Sequence, residues 1–221
     1  MSILRPNSDV GTPTSPERSA WSRRRGRMLA NVRTGILGGT FDPIHIAHLH
    51  AGETAMFAAD LDRVLFMPAG KPWQKGDREL TPAIQRLEMT RLAIGGIDRF
   101  EIDDREIDRV GPTYTIDSLL SFPAEEELFL ILGADAALGL PTWHRWEAII
   151  ERVRVLVVPR PGTDLAAVAA TVPTATILDM SALDVSSTSI RHLAASGRPF
   201  RFLVPPEVHR FIEDTGIYTQ T

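Results

Sequence analysis

From Arg33 onward the chain alternates between short apolar runs and helix-like segments. The runs are "RTGILG", "RVLFMPA", "FEIDD", "ELFLILG", "RVRVLVVPR" and "TATILD". Helical patterns fall between them, over 43–59, 82–94, 115–121, 143–151, 164–171 and 187–195. A strand that is apolar along its whole length is buried on both faces, and this happens when helices cover both sides of a parallel sheet. The expected fold class is α/β: a doubly wound, mostly parallel sheet with a short helical C-terminal part. Ligands of such folds lie beyond the carboxyl ends of the strands. Chemistry-bearing residues are therefore sought directly after each strand.

Residues 1–33 read differently. "RPNSDVGTPTSPERSAWSRRRGR" is rich in Pro, Ser and Arg and has few apolar side chains, so burial cannot offset the entropy of ordering it. It is expected to be a disordered extension, with 34–221 as the folded domain. Arg23, Arg24, Arg25 and Arg27 suit an anionic partner or a transit peptide, but the plainer reading is an untidy tail or a start placed upstream of Met28.

Charge and composition narrow the function. The formal net charge is −4, so the broad basic surface of a nucleic-acid binder is not expected and cationic sites should be local. There is no cysteine, which removes disulfides, zinc–thiolate sites and thiol nucleophiles. No apolar run is long enough to span a bilayer, and the first residues lack the apolar stretch of a signal peptide. The expectation is a cytoplasmic protein without membrane or nucleic-acid partners.

The first strand runs into "GGTFDPIHIAHLH". Gly38 and Gly39 allow close backbone approach. Asp42 suits an N-cap and Pro43 the first helical position. His45 and His48 then share one face, beside a helix N-terminus whose unpaired N–H groups favour an anion. A phosphate site is the leading reading. Packing of the two rings, or a metal chelated at i, i+3, stays open at this point. The pattern G-G-T-F-D-P-x-H-x-x-H is neither a dinucleotide G-x-G-x-x-G nor a Walker loop.

"LDVSSTSIRHLAASGRP" repeats the device near the other end of the chain. Hydroxyl residues Ser186, Ser187 and Thr188 open a helix that Gly197 and Pro199 close. Arg191 lies one turn in, placed to reach an anion held there; an N-cap with a solvated Arg is the alternative. "PAGKPWQK" follows the second strand and adds Lys71 and Lys75, at a strand end where phosphate contact is expected.

With these residues in view, the chain resembles the bacterial nicotinate-nucleotide adenylyltransferases of the HxGH nucleotidyltransferase superfamily. "GGTFDPIHIAH" and "VSSTSIR" resemble the two superfamily signatures. "REIDRVGPTYTIDSL", "ILGADAALGLPTWHRWEAI", "VVPRPG" and "FLVPPEVHRFIEDTGIY" resemble the stretches that mark this family. Ala47 stands where the family has Gly, and "KPWQK" replaces P-P-H-K.

The resemblance implies a Rossmann-like nucleotidyltransferase domain. It implies adenylyl transfer from ATP to nicotinate mononucleotide, with magnesium arriving on ATP and no metal held by the protein. A homo-oligomer is left open. His45, His48 and Arg191 are implied in catalysis. Gly38, Gly39, Thr40, Phe41, Lys75, Asp135, Ser187 and Thr188 are implied in ATP binding, and Thr113, Tyr114 and Trp143 in binding the acceptor. Asp135 suits ribose hydroxyls or an N-cap, and Trp143 suits stacking on the pyridine ring or core packing. Nicotinamide mononucleotide or pantetheine phosphate as acceptor, and a catalytically silent nucleotide-binding protein, are the competing readings.

Overall fold

The computed structural model describes residues 32–71, 80–109, 111 and 113–219. Its centre is a parallel sheet in the order β3-β2-β1-β4-β5-β6. The strands are β1 (Arg33–Gly39), β2 (Arg63–Pro68), β3 (Phe100–Ile102), β4 (Glu127–Gly133), β5 (Val153–Val158) and β6 (Thr176–Ile177). All are parallel to their neighbours, as the apolar runs require. The extension, apart from Val32 and Arg33, lies outside the described residues.

Successive residues of a strand face opposite sides, and the core divides accordingly. Leu37, Val64, Phe66, Phe129 and Ile131 face one layer, with α1 (Ile46–Ala58), α2 (Ala83–Ile94), α7 (Ser187–Ala195) and α8 (Pro206–Thr215). Ile36, Leu65, Met67, Leu130 and Leu132 face the other, with α3 (Thr115–Leu120), α4 (Ala134–Leu138), α5 (Trp146–Arg152) and α6 (Leu165–Thr171). α8 is the expected helical C-terminal part. No helix among the described residues is long and apolar enough to cross a membrane.

The strand order reverses between β1 and β4, which pair parallel with Ile36 opposite Leu130. This is the point where two crossovers leave in opposite directions and the strand ends leave a crevice. The α4 helix and the 3-10 turn Leu140–Thr142 that follows it were not expected. "ADAAL" is too short for a helical period to show, and glycines 133 and 139 enclose it.

Candidate active site

A cavity of about 370 Å³ opens at this reversal. Gly38, Gly39, Thr40, His45, Ala47 and His48 of the first loop line it, together with Thr113, Tyr114, Trp143 and His144. Asp135, Glu106 and Arg160 also face it. It thus brings together most residues of the first loop and all three of the acceptor set.

The first loop departs from expectation. The helix starts at Ile46, with His45 as N-cap, three residues later than Asp42 and Pro43 suggested. Asp42 turns inward instead. It is 2% exposed, and the Tyr218 hydroxyl donates to its Oδ1 at 2.7 Å. Burial and the Asp42 carboxylate push the Tyr218 hydroxyl well above its ordinary pKa, so it stays a donor. The helix terminus is also partly used, because the Ile46 N–H donates to Leu203 O at 3.1 Å. The donors that the cavity meets here are mainly imidazoles.

The two imidazoles stack at 3.7 Å between centroids. The His45 backbone N–H donates to His48 Nδ1 at 3.2 Å. In the neutral ring this leaves the proton on Nε2, as a donor. Burial lowers the His45 pKa to about 4, with a smaller push from the Arg160 charge. Burial, then His45 and Arg160, hold His48 well below its usual value. Both rings are neutral donors at neutral pH. Among the described residues no three His, Asp or Glu form a metal cage.

Phe41 is not among the residues lining the cavity. Its ring is 2% exposed and lies edge-on to His48 at 5.0 Å and tilted on Phe66 at 6.2 Å. The residue adopts φ 50, a left-handed backbone that costs a non-glycine residue about 1–3 kcal/mol. Burying the ring recovers a similar amount, about 1.5–3 kcal/mol. The strained turn therefore persists and seats His48. Gly39 is needed for the same packing, since a Cβ there would lie 2.8 Å from the Phe41 ring.

The second signature meets the first, but as a brace. Ser186 caps α7, its Oγ accepting from the Ser189 N–H at 3.1 Å. Ser187 Oγ donates to Pro43 O at 2.8 Å. Arg191 donates through Nη1 to Asp42 O and through Nη2 to Thr188 Oγ1 at 3.0 Å. Neither Ser187, Thr188 nor Arg191 is among the residues lining the cavity.

Asp135 sits in the first turn of α4, where Gly133 and not Asp135 is the N-cap. Its carboxylate pairs with Arg160 at 2.8 Å. The sequence reading missed Arg160, although it follows β5 and so obeys the strand-end rule. Glu106 was also missed. It is buried, which raises its pKa, and it accepts from Ser118 Oγ at 2.7 Å. Lys71 is exposed and outside the cavity lining, and Lys75 lies outside the described residues. At the acceptor end Trp143 is half-buried, against the core on one side and lining the cavity on the other. Tyr114 and His144 lie ring to ring at 4.5 Å.

A family model described as cytidylyltransferase-like matches residues 36–193. A probable nicotinate-nucleotide adenylyltransferase of Pseudomonas syringae is 41% identical over 208 residues, covering 84% of this chain and 93% of its own. One of Roseiflexus is 42% identical over 198 residues, covering 86% of this chain and 100% of its own. The chain belongs to the nicotinate-nucleotide adenylyltransferase family. Among solved structures, the family fold recurs in the Plasmodium falciparum nicotinic acid mononucleotide adenylyltransferase complexed with NaAD. That structure superposes with a TM-score of 0.72 at 17% identity, over 85% of this chain and 98% of that one.

Proposed function

We propose that the protein transfers the adenylyl group of ATP to nicotinate mononucleotide, giving nicotinate adenine dinucleotide and pyrophosphate, in cytoplasmic NAD biosynthesis. The observation that carries this is that one cavity is lined both by the polar cradle of Gly39, Thr40, His45 and His48 and by the aromatic side chains of Trp143 and Tyr114. Such a space suits two nucleotides placed end to end.

In this reaction a phosphate oxygen of the acceptor attacks the α-phosphorus of ATP. The bond to the bridging oxygen breaks, and pyrophosphate leaves with the electron pair. The attacking oxygen is already ionised near neutral pH, so no proton has to be removed. The site then needs positioning and charge neutralisation, not a base. Neutral imidazoles fit that need, because they donate hydrogen bonds and do not compete for a proton. His48 Nε2 and His45 serve the phosphates, with the backbone at Gly38, Gly39 and Thr40. Arg191 and Ser187 brace the loop that carries His45 and His48, and with Thr188 they stand at the pyrophosphate end of ATP, as the family resemblance implies. Asp135 serves ribose hydroxyls, steadied by Arg160. Trp143 stacks on the pyridine ring, and the amides at Thr113 and Tyr114 receive its carboxylate. Lys75 remains a phosphate ligand expected from sequence. Magnesium enters as part of the substrate MgATP and neutralises phosphate charge, a role that needs no dedicated protein cage.

Turnover on nicotinate mononucleotide, nicotinamide mononucleotide and pantetheine phosphate tests this reading. The nicotinate acceptor should be fastest. A preference for either other acceptor would reassign the enzyme, and no pyrophosphate from any of them would make it a silent binder.

A further inference from the structure

Arg86 has no place in the transfer chemistry, yet this charged side chain is 1% exposed in the first turn of α2. A guanidinium taken from water needs partners for its N–H groups. It finds them in three backbone carbonyls. Nε donates to Thr81 O at 2.9 Å, Nη1 to Thr40 O at 2.7 Å and Nη2 to Gly70 O at 2.9 Å. Thr40 belongs to the phosphate cradle. Gly70 follows β2, and Thr81 leads into α2. The Asp42 carboxylate lies near enough to attract the guanidinium.

Gly70 carries the connection further. A Cβ at this position would sit 2.0 Å from Glu106 O, so the two backbones are in direct contact. Glu106 lines the cavity with Thr113, and its carboxyl holds Ser118 of α3. One planar, rigid group therefore ties the donor end, through Thr40, to the support of the acceptor end, through Gly70.

We propose that Arg86 is a positioning residue for adenylyl transfer, which fixes the spacing between the phosphate cradle and the acceptor end by holding Thr40 and Gly70 on one guanidinium. This inference rests on the function proposed above. All three of the Arg86 hydrogen bonds go to backbone carbonyls, so its place is that of a spacer between segments. A spacer acts through geometry, and geometry matters most in the transition state. A misplacement of about 1 Å can cost roughly a hundredfold in rate. The three N–H groups of a lysine radiate from one nitrogen and cannot span carbonyls that the guanidinium reaches from three separate nitrogens.

The test is steady-state kinetics of Arg86→Ala and Arg86→Lys with MgATP and nicotinate mononucleotide, below the unfolding midpoint of each variant. In Arg86→Ala, kcat should fall roughly ten- to a hundredfold while both KM values stay within about twofold. Arg86→Lys should recover little of it. Wild-type kcat in either folded variant overturns the inference, as does a loss carried by the KM for ATP. If neither variant folds at any temperature, Arg86 serves the fold alone and the inference also fails. These outcomes presuppose an active wild type. A wild-type protein that does not transfer adenylyl groups overturns the functional reading first, and this inference with it.

Discussion

Two helix N-termini carry the two signatures, and they do different work. In sequence they look alike, each with small or hydroxyl residues before a helix and cationic or imidazole groups one turn in. At α1 the side chains of His45 and His48 face the cavity. At α7 the Ser187 hydroxyl and the Arg191 guanidinium donate to Pro43 O and Asp42 O, on the loop that presents those imidazoles. The second terminus thus holds the first in place. A motif tells which donors exist, but the fold decides which of them already hold the neighbouring loop.

The largest effect should come from His48→Ala. Loss of one preorganised donor costs about a hundred- to a thousandfold in kcat. The thermal midpoint should change little, because Phe41 keeps Phe66 as a ring partner. Near-wild-type kcat would remove the imidazoles from the chemistry.

Arg191→Ala comes next. Hydrogen bonds from a charged group are worth about 1.5–3 kcal/mol, or roughly ten- to a hundredfold in rate if the brace is loosened. Arg191→Lys should restore only part, lacking the fork. A loss larger than that of His48→Ala would break the comparison, because Arg191 would then act mainly on the leaving pyrophosphate and only secondarily as a brace.

Trp143→Ala probes the other end of the cavity. Stacking on a base-like ring is worth about 1–3 kcal/mol. The KM for nicotinate mononucleotide should rise about tenfold or more, with the KM for ATP unchanged. Equal changes in both would mean that Trp143 supports the fold.

The smallest effect is in pH dependence. The His45 pKa is lowered to about 4 in the folded protein, against 6.5 ordinarily. Between these values the unfolded chain binds more protons, so stability falls as pH drops through that window. His45→Asn should flatten this part of the stability profile, as read by thermal midpoints. For the same reason kcat should not fall near pH 6.5 on account of these imidazoles. A kcat step there would show one of them charged in the working enzyme.

The sheet was legible because its strands are apolar throughout, and the rule that ligands lie beyond strand ends led to Gly38 and Gly39, while Thr40 and Asp135 came from the family resemblance. Three things were hidden. Asp42 looks like an N-cap in one dimension, and only the return of Tyr218 from the chain terminus explains its burial. Phe41 looked like a ligand residue because it lies inside a signature, yet a left-handed turn points its ring into the core. Arg86 is an ordinary helix residue in sequence; its three carbonyl partners come from separate segments, and no local pattern announces them. Arg160 was within reach of the strand-end rule and was missed because no partner for it could be seen before Asp135 and Arg160 were placed together.

The central claim is that the cradle at His45 and His48 supports attack on the α-phosphorus of ATP. Position-labelled ATP tests it most directly. With nicotinate mononucleotide present, label at the α-phosphate should appear in the dinucleotide and label at the γ-phosphate in pyrophosphate, in equal amounts. Label from the γ-phosphate in the acceptor, or as free phosphate, would mean attack at the other end of ATP and would contradict the account.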